Sequence, residues 1–216
     1  NGYQASSPEL NFLARLNNGN NELPVIGKGV SPQEFTEVID LKGQFVEGEM
    51  FSPGEYKTVM GKRLAELMQL RLGDYITLVF KDKNETFNTM DVQISGLIHT
   101  GNPNVNRNFV YLPLNLVQES LGVNNKVSKL VIRLDNKNKA VAAANQLENQ
   151  IKKEGASLAA YPWSDLEAVS IAGAKQAANK IIMAVILLIA AIAIINTVIL
   201  AALERMEEIG MMKAMG

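Results

Sequence analysis

Between residues 181 and 203 the chain runs through 23 successive positions (IIMAVILLIAAIAIINTVILAAL) with no charge, glycine or proline, and only Asn196 and Thr197 are polar. As a helix rising about 1.5 Å per residue, this run is roughly 34 Å long, enough to cross the ~30 Å hydrocarbon core of a bilayer. No water is available there, so a helix that satisfies its own backbone is the natural solution. A buried central helix of a soluble protein is the competing reading. A cleaved signal peptide is excluded, because the run is too long and lies near the C-terminus.

The 180 residues before the run carry charges throughout, with frequent turn residues, and are numerous enough to bury a core as one domain or two small ones. A formal net charge of −1 and the lack of a basic stripe give no electrostatic case for nucleic acid. The absence of cysteine removes disulfides, zinc–thiolate sites and thiol nucleophiles. Lys175 and Lys180 flank one end of the apolar run; Arg205 and Lys213 flank the other, among Glu204, Glu207 and Glu208. Counted by the positive-inside rule, the two sides tie, so charge alone does not orient the crossing.

Periodicity predicts an α+β domain. Residues 1–21 are polar, with a short helix expected around 10–16. Residues 23–30 read as a strand, and Ser31-Pro32 opens a helical turn over Phe35, Val38 and Ile39. Residues 62–70 read as a helix, 75–80 as a strand, and 81–85 as a charged hairpin loop. In the return strand Met90, Val92 and Ile94 alternate with Asp91, Gln93 and Ser95. A loop over 101–108, a strand over 109–112 and a short helix over 114–121 follow. Leu130, Ile132 and Leu134 mark another strand, and residues 139–154 an amphipathic helix. A last strand is expected over 158–161, and from Ser164 a helix runs through Lys180 into the apolar run. The strand- and turn-rich stretch of about 45–123 reads as an insertion in an outer α+β unit.

No residue pattern marks an enzyme. His99, the single histidine, sits beside a Gly-Asn-Pro loop and reads as a solvated loop residue. There is no HExxH pair, no G-x-S-x-G elbow and no phosphate loop, and the acidic residues read as a solvated surface. The Asn84-Glu85-Thr86 sequon matters only in a glycosylating host. Two readings of Asn196 stand: an amide facing another helix, or one bonding its own helix or reaching headgroups; the helix–helix contact is adopted. After the run, the tail ERMEEIGMMKAMG places Met206, Ile209 and Met212 on one stripe, and Gly210 is expected to bend it. Such a Met-rich amphipathic helix suits either a partner's groove or a lipid surface.

Asn196, Glu204-Arg205, Glu208-Ile209-Gly210, Lys213-Ala214 and Gly216 together resemble the N…ER…EIG…(R/K)A-G signature of FtsX-like ABC-transporter permeases. Upstream, Gly27-Lys28-Gly29-Val30-Ser31-Pro32, Gly43 with Gly48, and Gly61-Lys62-Arg63-Leu64-Ala65 with Leu70 and Leu72-Gly73-Asp74 resemble the family's extracytoplasmic domain of MacB and LolC/LolE type. Pro162-Trp163 looks closer to the lipoprotein-releasing branch. The resemblance implies a MacB-like periplasmic core (1–165) with a β-rich insert (about 45–123), a stalk and transmembrane helix (164–203), and a short amphipathic coupling helix (204–216). It also implies an internal piece of a longer permease, with residues 1 to about 175 outside the cytoplasmic membrane and the C-terminus inside.

The function so implied is transmission of ATPase-driven motion to the outside domain, for lipoprotein release or translocation. Glu204, Arg205, Glu208, Ile209, Gly210, Lys213, Ala214 and Gly216 would contact a separate ABC ATPase, with Asn196 at a helix contact. This chain would bind no cofactor or metal and catalyse nothing, since ATP is used by the partner subunit. A second permease subunit, forming a homo- or heterodimer, and a lipoprotein or periplasmic protein are the further partners. The alternatives are a MacB-like exporter component for peptides or drugs, and a single-pass binding or sensor module without an ATPase.

Overall fold

The computed structural model describes residues 3–41, 43–165 and 167–216, with side chains described except at 167–178, 204, 207 and 208. The chain divides into two compact units, Asn1–Asp135 and Asn136–Gly216.

Among the described residues the first unit contains eight strands: β1 (Tyr3–Asn17), β2 (Glu22–Val30), β3 (Phe45–Gly48), β4 (Lys57–Gly61), β5 (Tyr75–Lys81), β6 (Phe87–Ile98), β7 (Phe109–Pro113) and β8 (Lys129–Leu134). Four helices lie between them: α1 (Pro32–Val38), α2 (Lys62–Leu67), α3 (Pro103–Asn108) and α4 (Leu114–Leu121). All eight strands belong to one sheet, ordered β2-β7-β4-β6-β5-β1-β8, with β3 on β6. Because β1 also pairs with β2, the ladder closes on itself through six strands. Residues 45–123 therefore do not form a sheet of their own. Most pairings are antiparallel; β2–β7 and β4–β6 are parallel.

Closure gives the main core its place. Side chains alternate across a strand, so every second residue points inside the ring. Leu10, Ala14 and Leu16 of β1 join Val25, Met60, Ile76, Leu78, Phe80, Met90, Val92, Ile94, Val110 and Leu112 there. Leu64, Ala65 and Met68 from α2, and Leu116, Val117 and Leu121 from α4, complete the cluster. Each fully buried Leu, Ile or Phe contributes about 1.5–3 kcal/mol relative to exposure. A second cluster (Val30, Phe35, Leu41, Phe51, Val59, Ile98 and Tyr111) includes α1's Phe35 and lies on the sheet's outer face.

Two glycines of the segments that carry the family resemblance, Gly27 and Gly61, sit where the sheet has no room for a side chain. At Gly27 an added Cβ would overlap the ring of Phe12, its cross-strand partner. At Gly61 it would overlap the backbone of Asn106. In Leu72-Gly73-Asp74 the reason is conformational: Gly73 has φ +89°, which a side chain resists. Its N–H donates to Ile94 O at 2.9 Å, while Asp74 Oδ2 accepts from Arg71 N at 2.7 Å and pins the turn.

Two local expectations for this unit are corrected. Residues 10–16 are strand, not helix: Leu10, Phe12, Ala14 and Leu16 turn inward in alternation while Asn11, Leu13 and Arg15 turn outward. The stretch 101–108 contains α3, opened by Pro103 and capped by Asn102, whose side chain accepts from Asn104 N. Ser31 precedes α1 with Pro32 in the first turn, yet its hydroxyl makes no capping bond.

The second unit holds α5 (Ala140–Lys153), a 3₁₀ turn at Trp163–Asp165 and one long helix, α6 (Glu167–Ala214). The strand expected at 158–161 is not formed; Leu158 and Tyr161 are exposed there and join no ladder.

Candidate functional site

Three parts of the chain hold features that a function can use: α6, a buried charge group on the outer sheet face, and a groove beside the Gly73 turn.

Within α6, Asn179–Leu203 is a 25-residue stretch of hydropathy 2.9, none of it buried. Water around such a surface is unfavourable at about 25 cal/mol per Å² of apolar area, and lipid removes that cost. Thr197 settles its own hydroxyl, donating to Ala193 O at 2.9 Å one turn back. Asn196 is exposed on the helix surface. Arg205, Ile209, Gly210, Lys213, Ala214 and Gly216 are exposed as well, whereas the side chains of Glu204 and Glu208 lie outside the described residues. The backbone stays helical through Gly210 to Ala214, so the tail is not set apart as a short helix and no break occurs at the glycine. One glycine costs a helix about 1 kcal/mol against alanine, and the Met, Lys and Ala beyond it are good helix formers.

The outer sheet face holds a constellation that pattern reading missed. Glu9 of β1 is 1% exposed, although the acidic residues read as a solvated surface. Its Oε2 lies 3.0 Å from Lys129 Nζ on β8 and 3.7 Å from Lys28 Nζ on β2. Lys28 Nζ also sits 4.3 Å from the centroid of Phe109. Burial lowers the pKa of Lys28; Glu9 opposes the shift and Lys129 adds to it. Tyr111 is pushed well above the ordinary phenol value, first by burial and then by the Glu9 charge. The signal for the cluster was available: once residues 3–17 are a strand, Glu9 and Lys28 fall on one face of adjoining strands, because Glu9 opposes Val30 and Asn11 opposes Lys28.

A groove of about 360 Å³ is lined by Glu49, Met50, Glu55, Lys57, Gln93 and Ser95, among others. Glu55 accepts from Ser52 N at 2.8 Å and from Lys57 Nζ at 3.0 Å, and these bonds hold its carboxyl below the usual range. His99 is exposed, and its backbone N–H donates to Gln44 O at 2.8 Å. Among the described residues no group of three or more His, Cys, Asp and Glu side chains could hold a metal ion.

A family model described as the MacB-like periplasmic core domain matches residues 3–150. The lipoprotein-releasing system transmembrane protein LolC of Neisseria meningitidis serogroup B is 20% identical over 222 residues, covering 100% of this chain and 54% of its own length. LolE of the same system in Haemophilus influenzae is 24% identical over 228 residues, covering 97% of this chain and 52% of itself. The chain thus spans about half the length of these curated relatives. The extracellular domain of the noncanonic ABC-type transporter YknZ from Gram-positive bacteria superposes with a TM-score of 0.53 at 14% identity, over 73% of this chain and 79% of that one. The periplasmic region of MacB from Actinobacillus actinomycetemcomitans gives 0.50 at 14% identity, over 72% and 69%. At such identities these two structures share the fold.

Proposed function

The chain belongs to the family built on the MacB-like periplasmic core domain, and from that premise we propose that it is part of an ABC-transporter permease that conveys ATPase-driven motion to a domain outside the cytoplasmic membrane. The observation that carries this reading is the continuity of α6: 48 residues of helix join the membrane-capable stretch to the signature-bearing tail without interruption. At about 1.5 Å per residue that is a rod roughly 72 Å long, more than twice the hydrocarbon thickness.

In this reading a separate subunit binds and hydrolyses ATP. Its closure displaces the tail, where Glu204, Arg205, Glu208 and Lys213 supply charged contacts. Ile209 packs apolar surface, and Gly210, Ala214 and Gly216 permit close approach. A helix transmits axial displacement because every turn is bonded to the next, so the movement reaches the outer end of α6. A second permease subunit, met at Asn196, completes the membrane part. The cargo class is a lipoprotein taken from the outer leaflet, in keeping with the similarity to two lipoprotein-releasing proteins.

The test uses the intact transporter with its ATPase in proteoliposomes. Glu208→Ala and Arg205→Ala should abolish cargo release and cargo-stimulated ATP hydrolysis while leaving expression and assembly unchanged. Full activity in both variants would instead fit a single-pass binding module. Release into an outer-membrane channel through a bound adaptor, rather than to a soluble acceptor, would move the assignment to an exporter.

A further inference from the structure

The first and last strands of the sheet unit lie side by side. Tyr3, at the start of β1, opposes Leu134, at the end of β8, in an antiparallel ladder. β8 ends the strand order, and among the described residues it pairs with β1 alone. It is also the least buried long strand: Leu130 is 56% and Ile132 40% exposed, and no β8 residue belongs to either apolar cluster. β5, by contrast, buries Ile76, Leu78 and Phe80. A strand with so little buried apolar area opens locally at much lower cost than the core strands do.

The attachment of β8 is uneven along its length. At its beginning, Ser128 N and Oγ both donate to Glu9 O, at 3.0 and 3.1 Å, and Ser128 Oγ accepts from Asn11 N at 2.8 Å. Lys129 Nζ meets the buried Glu9 carboxylate at 3.0 Å, with Lys28 on the far side. At its end, the register slips between Tyr3 and Ala5, and Arg133 makes exposed bonds to the Glu37 and Val38 carbonyls at the end of α1.

We propose that β8 is a peeling strand whose hinge is Glu9. Load arriving through the chain beyond Asp135 separates residues 130–134 from β1, and the Glu9–Ser128–Lys129 junction stops the separation so that the closed ladder stays intact. The topology favours this because the chain leaves β8 at Leu134, the end of the strand farthest from the Glu9–Ser128–Lys129 junction. The origin of the load rests on the transport reading above; the hinge itself does not. Glu9 touches neither cargo nor ATPase in this scheme and is a positioning residue.

Hydrogen exchange read by mass spectrometry on the full chain in lipid nanodiscs, without ATPase, tests the hinge directly. The β8 amides bonded to β1 should exchange at least about tenfold faster than those of β5 and β6. Glu9→Gln, and separately Lys129→Met at a half-exposed site, should extend that fast exchange back through 128–129 and leave β5–β6 protection unchanged. Equal protection of β8 and β5 in the unsubstituted chain would overturn the proposal, as would loss of protection across the whole sheet in both variants. Use of the hinge is read with Ser6→Cys and Ile132→Cys, which are directly paired in a chain that has no other cysteine. Paired Cα atoms about 4.5–5.5 Å apart fall in the disulfide range. Oxidation in the reconstituted transporter should stop cargo-stimulated turnover, and a reductant should restore it. Unchanged turnover at complete crosslinking would show that β8 does not move, whereas loss of the transport reading itself is registered by the tail variants.

Discussion

Glu9, Lys28 and Tyr111 show how much the environment of one buried carboxylate decides. Two ammonium groups approach it from neighbouring strands, and a phenol is held in the same low-dielectric region. The two resolved shifts act on stability in opposite directions. Lys28 has a folded pKa below its ordinary 10.5, so between those values the unfolded chain holds the extra proton and stability rises with pH. Tyr111 has a folded pKa above its ordinary 10.0, so its contribution is fully present below that value and is lost as pH climbs beyond it, where only the unfolded chain has ionised. The Tyr111 phenolate should therefore appear only with unfolding. An absorbance titration at alkaline pH should show this late component in the unsubstituted protein and lose it in Tyr111→Phe. A Tyr111→Phe profile identical to the parent would refute the assignment.

Among the elements, α6 was legible and β1 was not. An uncharged run of 23 residues marks a membrane-capable helix through composition alone, because a bilayer reads hydrophobicity before packing. In β1 the apolar residues Leu10, Leu13 and Leu16 mimic helical spacing. The strand arises because β2 supplies ladder partners to all three and β5 a second one to Leu16, and tertiary pairing overrides local preference. The remaining polar group of the apolar run gives a prediction at this level. Thr197 is satisfied within its own helix, which leaves Asn196 as the amide that gains from a neighbour. Asn196→Leu should weaken helix association in bilayers by about 1 kcal/mol. Energy transfer between labelled helices in vesicles measures it, and an unchanged association constant would place Asn196 outside any contact.

At the scale of the whole molecule the proposal requires the sheet unit and the tail on opposite sides of the membrane. The charge count around the crossing does not decide this, so a direct measurement carries the point. The cysteine-free sequence makes single-cysteine labelling clean. Asn84→Cys, on the hairpin between β5 and β6, should react with an impermeant maleimide in intact spheroplasts. Lys213→Cys should react only after permeabilisation. Reaction of both from the outside would end the force-transmission reading, since no element would then connect the two compartments.

Composition and short-range spacing were enough to set several features. These are the membrane-capable helix, the alternating strands β6 and β8, helix α4 with the bounds 114–121, and the family resemblance carried by Gly27, Gly61 and Gly73. The helices and strands follow from forces that act within a few residues or from a solvent that surrounds the whole segment, whereas Gly27 and Gly61 mark places where a distant ring or backbone leaves no room. Long-range pairing settles the rest: eight strands form one sheet, its ladder closes on itself, and Glu9 is buried between two lysines from strands far apart in the chain. Those outcomes turn on which distant strands meet. A one-residue change of register would place Glu9 inside the apolar ring, and no local pattern records that choice.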